Sequence, residues 1–435
     1  MLKNLKSKII AFAVAGFVIL LAMLILTGVI SPFKAKPVSG QVTVWVPPQY
    51  KSAMAPIVTS FQSQYPAVKV TLEEKNETTY ETDLINALAS GAGPDVILLP
   101  SSDIGLWQNK LLPAPRTNVL TLDQFESQAP DAAIADLVTQ KGEMLGLPLS
   151  VDTLALYYNK DLFNAANIIS PPQTWDDFAA ASGLMVARLI NGDLTQSGAS
   201  IGTAQNVNHF FEILSELILQ TGNPIATLDG HVTLADKTGD SYPALSALNF
   251  YTSFADPSNK NYSWTNAGPN SLEAFAQGQA GMYFGYAADL ETIITKNPHL
   301  NFSVAPFPQL AKGSRKSFAR YPVLAVTRAS TNPTIAWAFI SNFYTAANQK
   351  ILIDALGLPP ARRDLIHSLP PNKILRPFYD QVLSGQSWPI PDYGRAQSIF
   401  RTMIESAVSG GSIGSADAIS RAAGQLKLLL NPNGQ

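Results

Sequence analysis

The chain has 435 residues, 46% hydrophobic and 14% charged, which excludes a disordered or low-complexity polymer and leaves room for two or three domains. Five of its 30 Lys and Arg (Lys3, Lys6, Lys8, Lys34 and Lys36) precede the folded part, leaving 25 against 32 Asp and Glu, a net charge of −7. Such a body lacks the basic face that nucleic acid demands. The chain has no Cys, which excludes a disulfide, a lipidated Cys anchor and a thiolate metal site.

Ile9 to Ile30 is 22 residues without a charge. As a helix it is roughly 33 Å long, enough for a bilayer core of about 30 Å, whereas a cleaved signal has an apolar region of only about 7–15 residues. The expectation is an uncleaved transmembrane signal anchor over 9–30. Residues 1–8, with three Lys, then lie in the cytoplasm, 31–40 form a Pro/Gly/Ser/Lys linker, and the rest lies outside.

Val42 to Val46 is apolar on both faces, as in a parallel strand covered by helices. Ser52 can cap a helix whose Met54, Ile57, Val58, Phe61 and Tyr65 form one stripe, and Val68 to Leu72 returns as a strand. A helix over Thr79–Ala89 and a third strand over Asp95–Leu99 follow. Ligands of open α/β sheets bind beyond the carboxyl ends of the strands, so Pro47-Pro48 and Pro100-Ser101-Ser102-Asp103 are the loops of interest.

Leu145-Gly-Leu-Pro148 and Leu154–Tyr158 read as two strand pieces, with an extended connector carrying Asp152 between them. The connector suits a crossing between two lobes, and Asp152 on it is expected to be exposed. Amphipathic helices are predicted over Trp175–Arg188, Val207–Gln220, Tyr242–Phe254, Leu272–Gln277, Thr334–Tyr344 and Ala416–Leu430. Strands are predicted over Gly281–Phe284 and Phe302–Pro306. Tyr321–Val326 serves as a second crossing and Leu356–Ala361 as a third. No internal repeat is visible.

Three motifs share an order. Gly146 through Asn159-Lys160-Asp161-Leu162-Phe163, with Pro172-x-Thr174-Trp175-Asp176-Asp177-Phe178, is one; Ala274-Phe275-Ala-Gln-Gly278-Gln-Ala-Gly-Met282 is the second, and Gly93 to Ile97 the third. In this order and spacing they resemble the extracellular solute-binding proteins of ABC importers, in the sugar-binding class related to maltose-binding protein. The resemblance implies an α/β, two-lobed periplasmic-binding-protein type II fold with crossover hinges. Its lobes are expected over 41–150 plus 323–355 and over 151–322 plus 356–435. The implied partners are a small solute, most simply a sugar, and ABC permease subunits with a separate ATPase.

Sugar sites pair aromatic planes with carboxylates and amides. Tyr286, after Met282-Tyr-Phe-Gly285, falls where the resemblance implies a stacking aromatic. Trp45, Trp264, Tyr321 and Trp388 are further candidates, with core packing as the alternative. Ser102 and Asp103 fall where the resemblance implies polar contacts, although Asp103 can equally cap the helical run Ile104–Asn109. Asp152 and Arg362 complete the candidates, with an ion pair to Asp364 as the other role for Arg362.

Two G-x-S-x-G runs, Gly198–Gly202 and Gly410–Gly414, read as turns because neither follows a clear strand. The four His residues are scattered, no phosphate loop is present, and no catalytic residue, metal or cofactor is expected. A carbohydrate-active enzyme and an anchored sensor or adhesion module are the alternatives from other classes.

Overall fold

The computed structural model describes residues 39–431 except 117–119, 312–314, 368, 369 and 371, and no side chain at 411–413. The expected anchor over 9–30 lies outside the described residues. Among the described residues no helix is long and apolar enough to cross a membrane.

The first lobe is built on a five-stranded sheet in the order β2-β1-β3-β12-β4. Its strands are β1 (Gly40–Val46), β2 (Val68–Glu74), β3 (Val96–Pro100), β4 (Leu147–Pro148) and, from late in the chain, β12 (Pro322–Val326). β1 is parallel to β2 and β3, and β12 is antiparallel to both β3 and β4. Val44, Val46, Val96 and Ile97 are fully buried, as doubly covered strands require. Gly146 sits so close to β12 that a Cβ there would meet the Leu324 carbonyl oxygen at 2.8 Å, which explains the glycine of the first motif.

The second lobe has the order β10-β6-β9-β8-β7, from β6 (Ala155–Asn159), β7 (Ala187–Arg188), β8 (Leu194–Ala199), β9 (Ala280–Gly285) and β10 (Phe302–Pro306). Here the remaining motif residues have structural roles. Asn159 caps the helix Lys160–Ala165 by accepting from the Asp161 and Leu162 N–H groups. Thr174 and Asp177 form a reciprocal capping box on the helix Trp175–Met185. Trp175 itself packs against Phe178, Phe250, Phe284 and Phe307.

Between the lobes lies a three-stranded sheet, β13-β11-β5, from β5 (Asp152–Thr153), β11 (Ser317–Arg320) and β13 (Gly385–Gln386). The third crossing runs beside it, with the Val151 N–H donating to the Pro359 carbonyl. The helices Pro333–Phe343 and Ala346–Leu356 pack back on the first lobe against the helix Pro48–Gln64.

Several sequence expectations are corrected. The helix begun at Pro48 contains Ser52 in its interior, because Pro at its first position starts it a turn earlier. The helix expected to reach Arg188 stops at Met185, and Ala187–Arg188 pairs in a hairpin with β8. The last helix is far longer than expected, Tyr393–Leu430, and it contains the run 410–414 instead of a turn. The run at Gly198–Gly202 does follow a strand. Its Ser200 is buried with the hydroxyl donating to the Met282 carbonyl, and a Cβ at Gly198 would meet the Ser182 carbonyl oxygen at 1.9 Å. The glycine there permits strand–helix contact.

Candidate functional site

The carboxyl ends of β1 and β3 and all three crossings converge, with the β9 turn of the second lobe, on a cavity of about 350 Å³. Its walls include Tyr50, Leu99 and Pro100 from the first lobe, Ser150, Asp152, Arg320 and Tyr321 from the crossings, and His209, Tyr286 and Asp289 from the second lobe. A wider chamber of about 880 Å³ lies between the lobes as well, bounded by Ser102, Gly105, Asp136, Trp388, Ile390 and Tyr393.

Asp152 differs from its expected exposure: it is buried, at 4%. Its carboxylate accepts from the backbone N–H groups of Thr153, Ala287 and Ala288, at 2.9, 3.1 and 3.2 Å. The second lobe's turn 285–288 closes over the crossing and removes it from water. Burial pushes the carboxyl up to about 7, against these three hydrogen bonds. Asp152 borders the cavity while pinning the crossing to the second lobe.

Tyr286 lies on the same wall, edge-on to His209 with ring centroids 5.0 Å apart. Its carbonyl accepts from the Tyr157 hydroxyl at 2.6 Å, and its own hydroxyl is buried without a partner among the described residues. Ser150 has a second such hydroxyl. Burial alone would lower the pKa of His209, but Asp289, 3.0 Å from Nε2, outweighs it and raises the value. His209 has φ 58°, the left-handed region, immediately before the helix Phe210–Gln220.

Tyr321 reaches the cavity wall, with its hydroxyl donating to Asp136 Oδ2 at 2.7 Å. Asp136 also accepts from the Ser387 hydroxyl, so one half-buried carboxylate ties first lobe, crossing and second lobe together. Its carboxyl is pushed up to about 6 by burial, against those two hydrogen bonds.

The other candidates are dispersed. Trp45 lies in the first lobe's core, edge-on to Tyr80 and with Lys75 Nζ 4.0 Å from its ring centre. Trp264 lies in the second lobe's core, donating to Asn206. The Arg362 guanidinium is committed to Asp364, Gln128 and the Tyr344 carbonyl, away from either chamber. Trp388 lines the wider chamber, with Nε1 donating to Ser215 and its ring stacked on Phe400. Ser102 lines that chamber too and donates to Asp103, whose side chain makes no capping bond to its helix and whose pKa burial raises.

Sequence reasoning missed Tyr50, His209, Asp289 and Arg320. A β1 loop flagged for ligand binding could have drawn attention to Tyr50, but nothing local marks the other three. Among the described residues no cluster of His, Asp and Glu converges to hold a metal ion.

Two α/β lobes joined by three crossings around an interlobe cavity define a two-lobed solute-binding architecture. The chain belongs to the bacterial extracellular solute-binding protein family, whose model matches residues 56–371. Over 281 residues it is 24% identical to a binding protein of Brucella abortus, covering 64% of this chain and 65% of that relative's length. It is 23% identical over 422 residues to the galactooligosaccharide-binding protein of Bacillus subtilis, covering 91% of this chain and 92% of that one. The crystal structure of the cyclic alpha-maltosyl-1,6-maltose binding protein from Arthrobacter globiformis superposes with a TM-score of 0.76 at 19% identity, over 91% of this chain and 100% of that one. At that identity the likeness speaks to the fold.

Proposed function

We propose that the protein is the solute-binding component of an ABC importer, capturing a saccharide between its lobes and delivering it to permease subunits served by a separate ATPase. The observation that carries this reading is the interlobe cavity itself, walled by both lobes and by Tyr50, Tyr286 and Tyr321, with the hydroxyls of Ser150 and Tyr286 lacking partners among the described residues. Aromatic planes beside uncommitted hydroxyls suit a ligand with apolar ring faces and a hydroxylated rim. The relatives named for oligosaccharides support the same class.

The lobes of this proposal are 41–150 plus 323–355 and 151–322 plus 356–435, with 9–30 as a membrane anchor and the lobes outside the cell. Contacts divided between lobes exist only when the cleft is closed, so a ligand shifts the hinge equilibrium by the free energy of those contacts. No chemical step is part of this function. A thermal-shift screen against galacto- and malto-oligosaccharides, polyols and peptides tests it. A saccharide at a hundredfold excess over Kd should stabilise the protein by about 2.7 kcal/mol. Stabilisation by a peptide and by no saccharide, or steady hydrolysis of a glycoside, would overturn it.

A further inference from the structure

Among the described residues Arg320 alone lines both chambers, so a ligand reaching from one to the other passes over its guanidinium. The side chain is 37% exposed, lies 5.2 Å from the Tyr393 ring centre, and among the described residues has one ion-pair partner, Glu212, at 3.6 Å. It makes no hydrogen bond to the protein among the described residues, so its planar fork of N–H groups is free to donate to a ligand.

Glu212 explains why the charge is there. It sits in the first turn of the helix Phe210–Gln220 and is 1% exposed. Oε1 accepts from the Tyr393 hydroxyl at 2.5 Å, and Oε2 has no hydrogen-bond partner among the described residues. A buried carboxylate needs a counter-charge, and Arg320 supplies it. The guanidinium therefore offers donors without offering a net positive charge. Around it the walls add Glu77 and Asp289, and Asp103 stands close enough to act on Arg320. Of these, Asp289 has a cation of its own, in His209.

We propose that the Glu212–Arg320 pair sets the charge selectivity of the cleft: it admits a neutral saccharide spanning both chambers and turns away the same saccharide bearing carboxylates. Arg320 donates to ligand hydroxyls, and Glu212 acts through Arg320 as a positioning residue that cancels its charge. The inference rests on the saccharide reading above and specifies which saccharides are taken.

The test is calorimetric titration of the full chain with galactotriose and maltotriose, and with trigalacturonate as the acidic counterpart. The unaltered protein is expected to bind at least one neutral trisaccharide, and trigalacturonate at least about a hundredfold more weakly. Glu212→Gln keeps the side chain's size and leaves the Arg320 charge uncancelled, so the neutral-to-acidic affinity ratio should narrow at least about tenfold. Arg320→Lys keeps the charge and loses the fork. It should weaken the neutral ligand at least about fivefold with the ratio unchanged, and it decides the matter if Glu212→Gln does not fold. Equal affinity of the unaltered protein for the two classes, a ratio that Glu212→Gln leaves unchanged, or full affinity in Arg320→Lys overturns the inference alone. Binding of none of the three saccharides overturns the saccharide reading and the inference with it.

Discussion

Asp152→Ala removes the acceptor of three backbone N–H groups, and two of them, from Ala287 and Ala288, belong to the second lobe. A buried N–H left without a partner costs about 1–3 kcal/mol, so the two buried donors, Thr153 and Ala287, set a loss of about 2–6 kcal/mol, toward the lower end if water enters from the adjoining cavity, while the Ala288 N–H, on an exposed residue, can turn to water. The ionisation of the carboxyl works the other way. Its folded value is about 7 against an ordinary 3.8, so the native state keeps a proton that the unfolded chain has released. For an acid raised in this way, stability falls as pH rises from about 3.8 to about 7 and is level above that. Each pH unit in that window is worth about 1.36 kcal/mol, so the burden of keeping Asp152 grows by roughly 2 kcal/mol between pH 5.5 and 8. Alanine carries none of it. Urea unfolding of both proteins at both pH values should therefore show a destabilisation about 2 kcal/mol larger at pH 5.5 than at pH 8. Asp136 and Glu216, also raised, to about 6 and about 8, are present in both proteins and cancel in the comparison. A loss that is equal at the two pH values, or larger at pH 8, refutes the account of Asp152 as a buried, proton-retaining pin.

Tyr286→Phe should leave stability unchanged or raise it by up to about 1 kcal/mol, since the deleted hydroxyl has no partner among the described residues. The same change should weaken the bound saccharide by about tenfold, and a melting-point fall with full affinity would count against the cavity assignment. For the anchor, the full chain expressed in a bacterium should sediment with membranes at its full mass. Mature protein starting near residues 31–40 would show the apolar run to be a cleaved signal.

The lobes were legible because their signals are local. Doubly buried strands such as Val42–Val46 show no polar alternation, and Phe302–Pro306 is bounded as read. The helix caps at Asn159 and Thr174 lie within three residues of their partners. The site resisted for the opposite reason. Whether Asp152 meets water is decided by Ala287 and Ala288, which are 135 and 136 residues away in sequence. Arg320 ends a short strand, and only the fold brings Glu212 and Tyr393 to it. Core and cleft aromatics have the same composition signal, so Trp45 and Trp264 could not be told from Tyr286 and Tyr321 until the sheets were placed.

β12 sits inside the first sheet, between β3 and β4, although it begins 222 residues after β3 ends at Pro100. A chain made at about 5–20 residues per second reaches β12 roughly 10–45 s after β3 has been synthesised. Throughout that interval the apolar Val96–Pro100 strand has an open edge toward solvent, the arrangement that invites pairing with another chain. All five strands of the second sheet lie between residues 155 and 306 and are complete before β12 appears. The sheet encoded in the middle of the chain can thus close before the sheet that begins the domain.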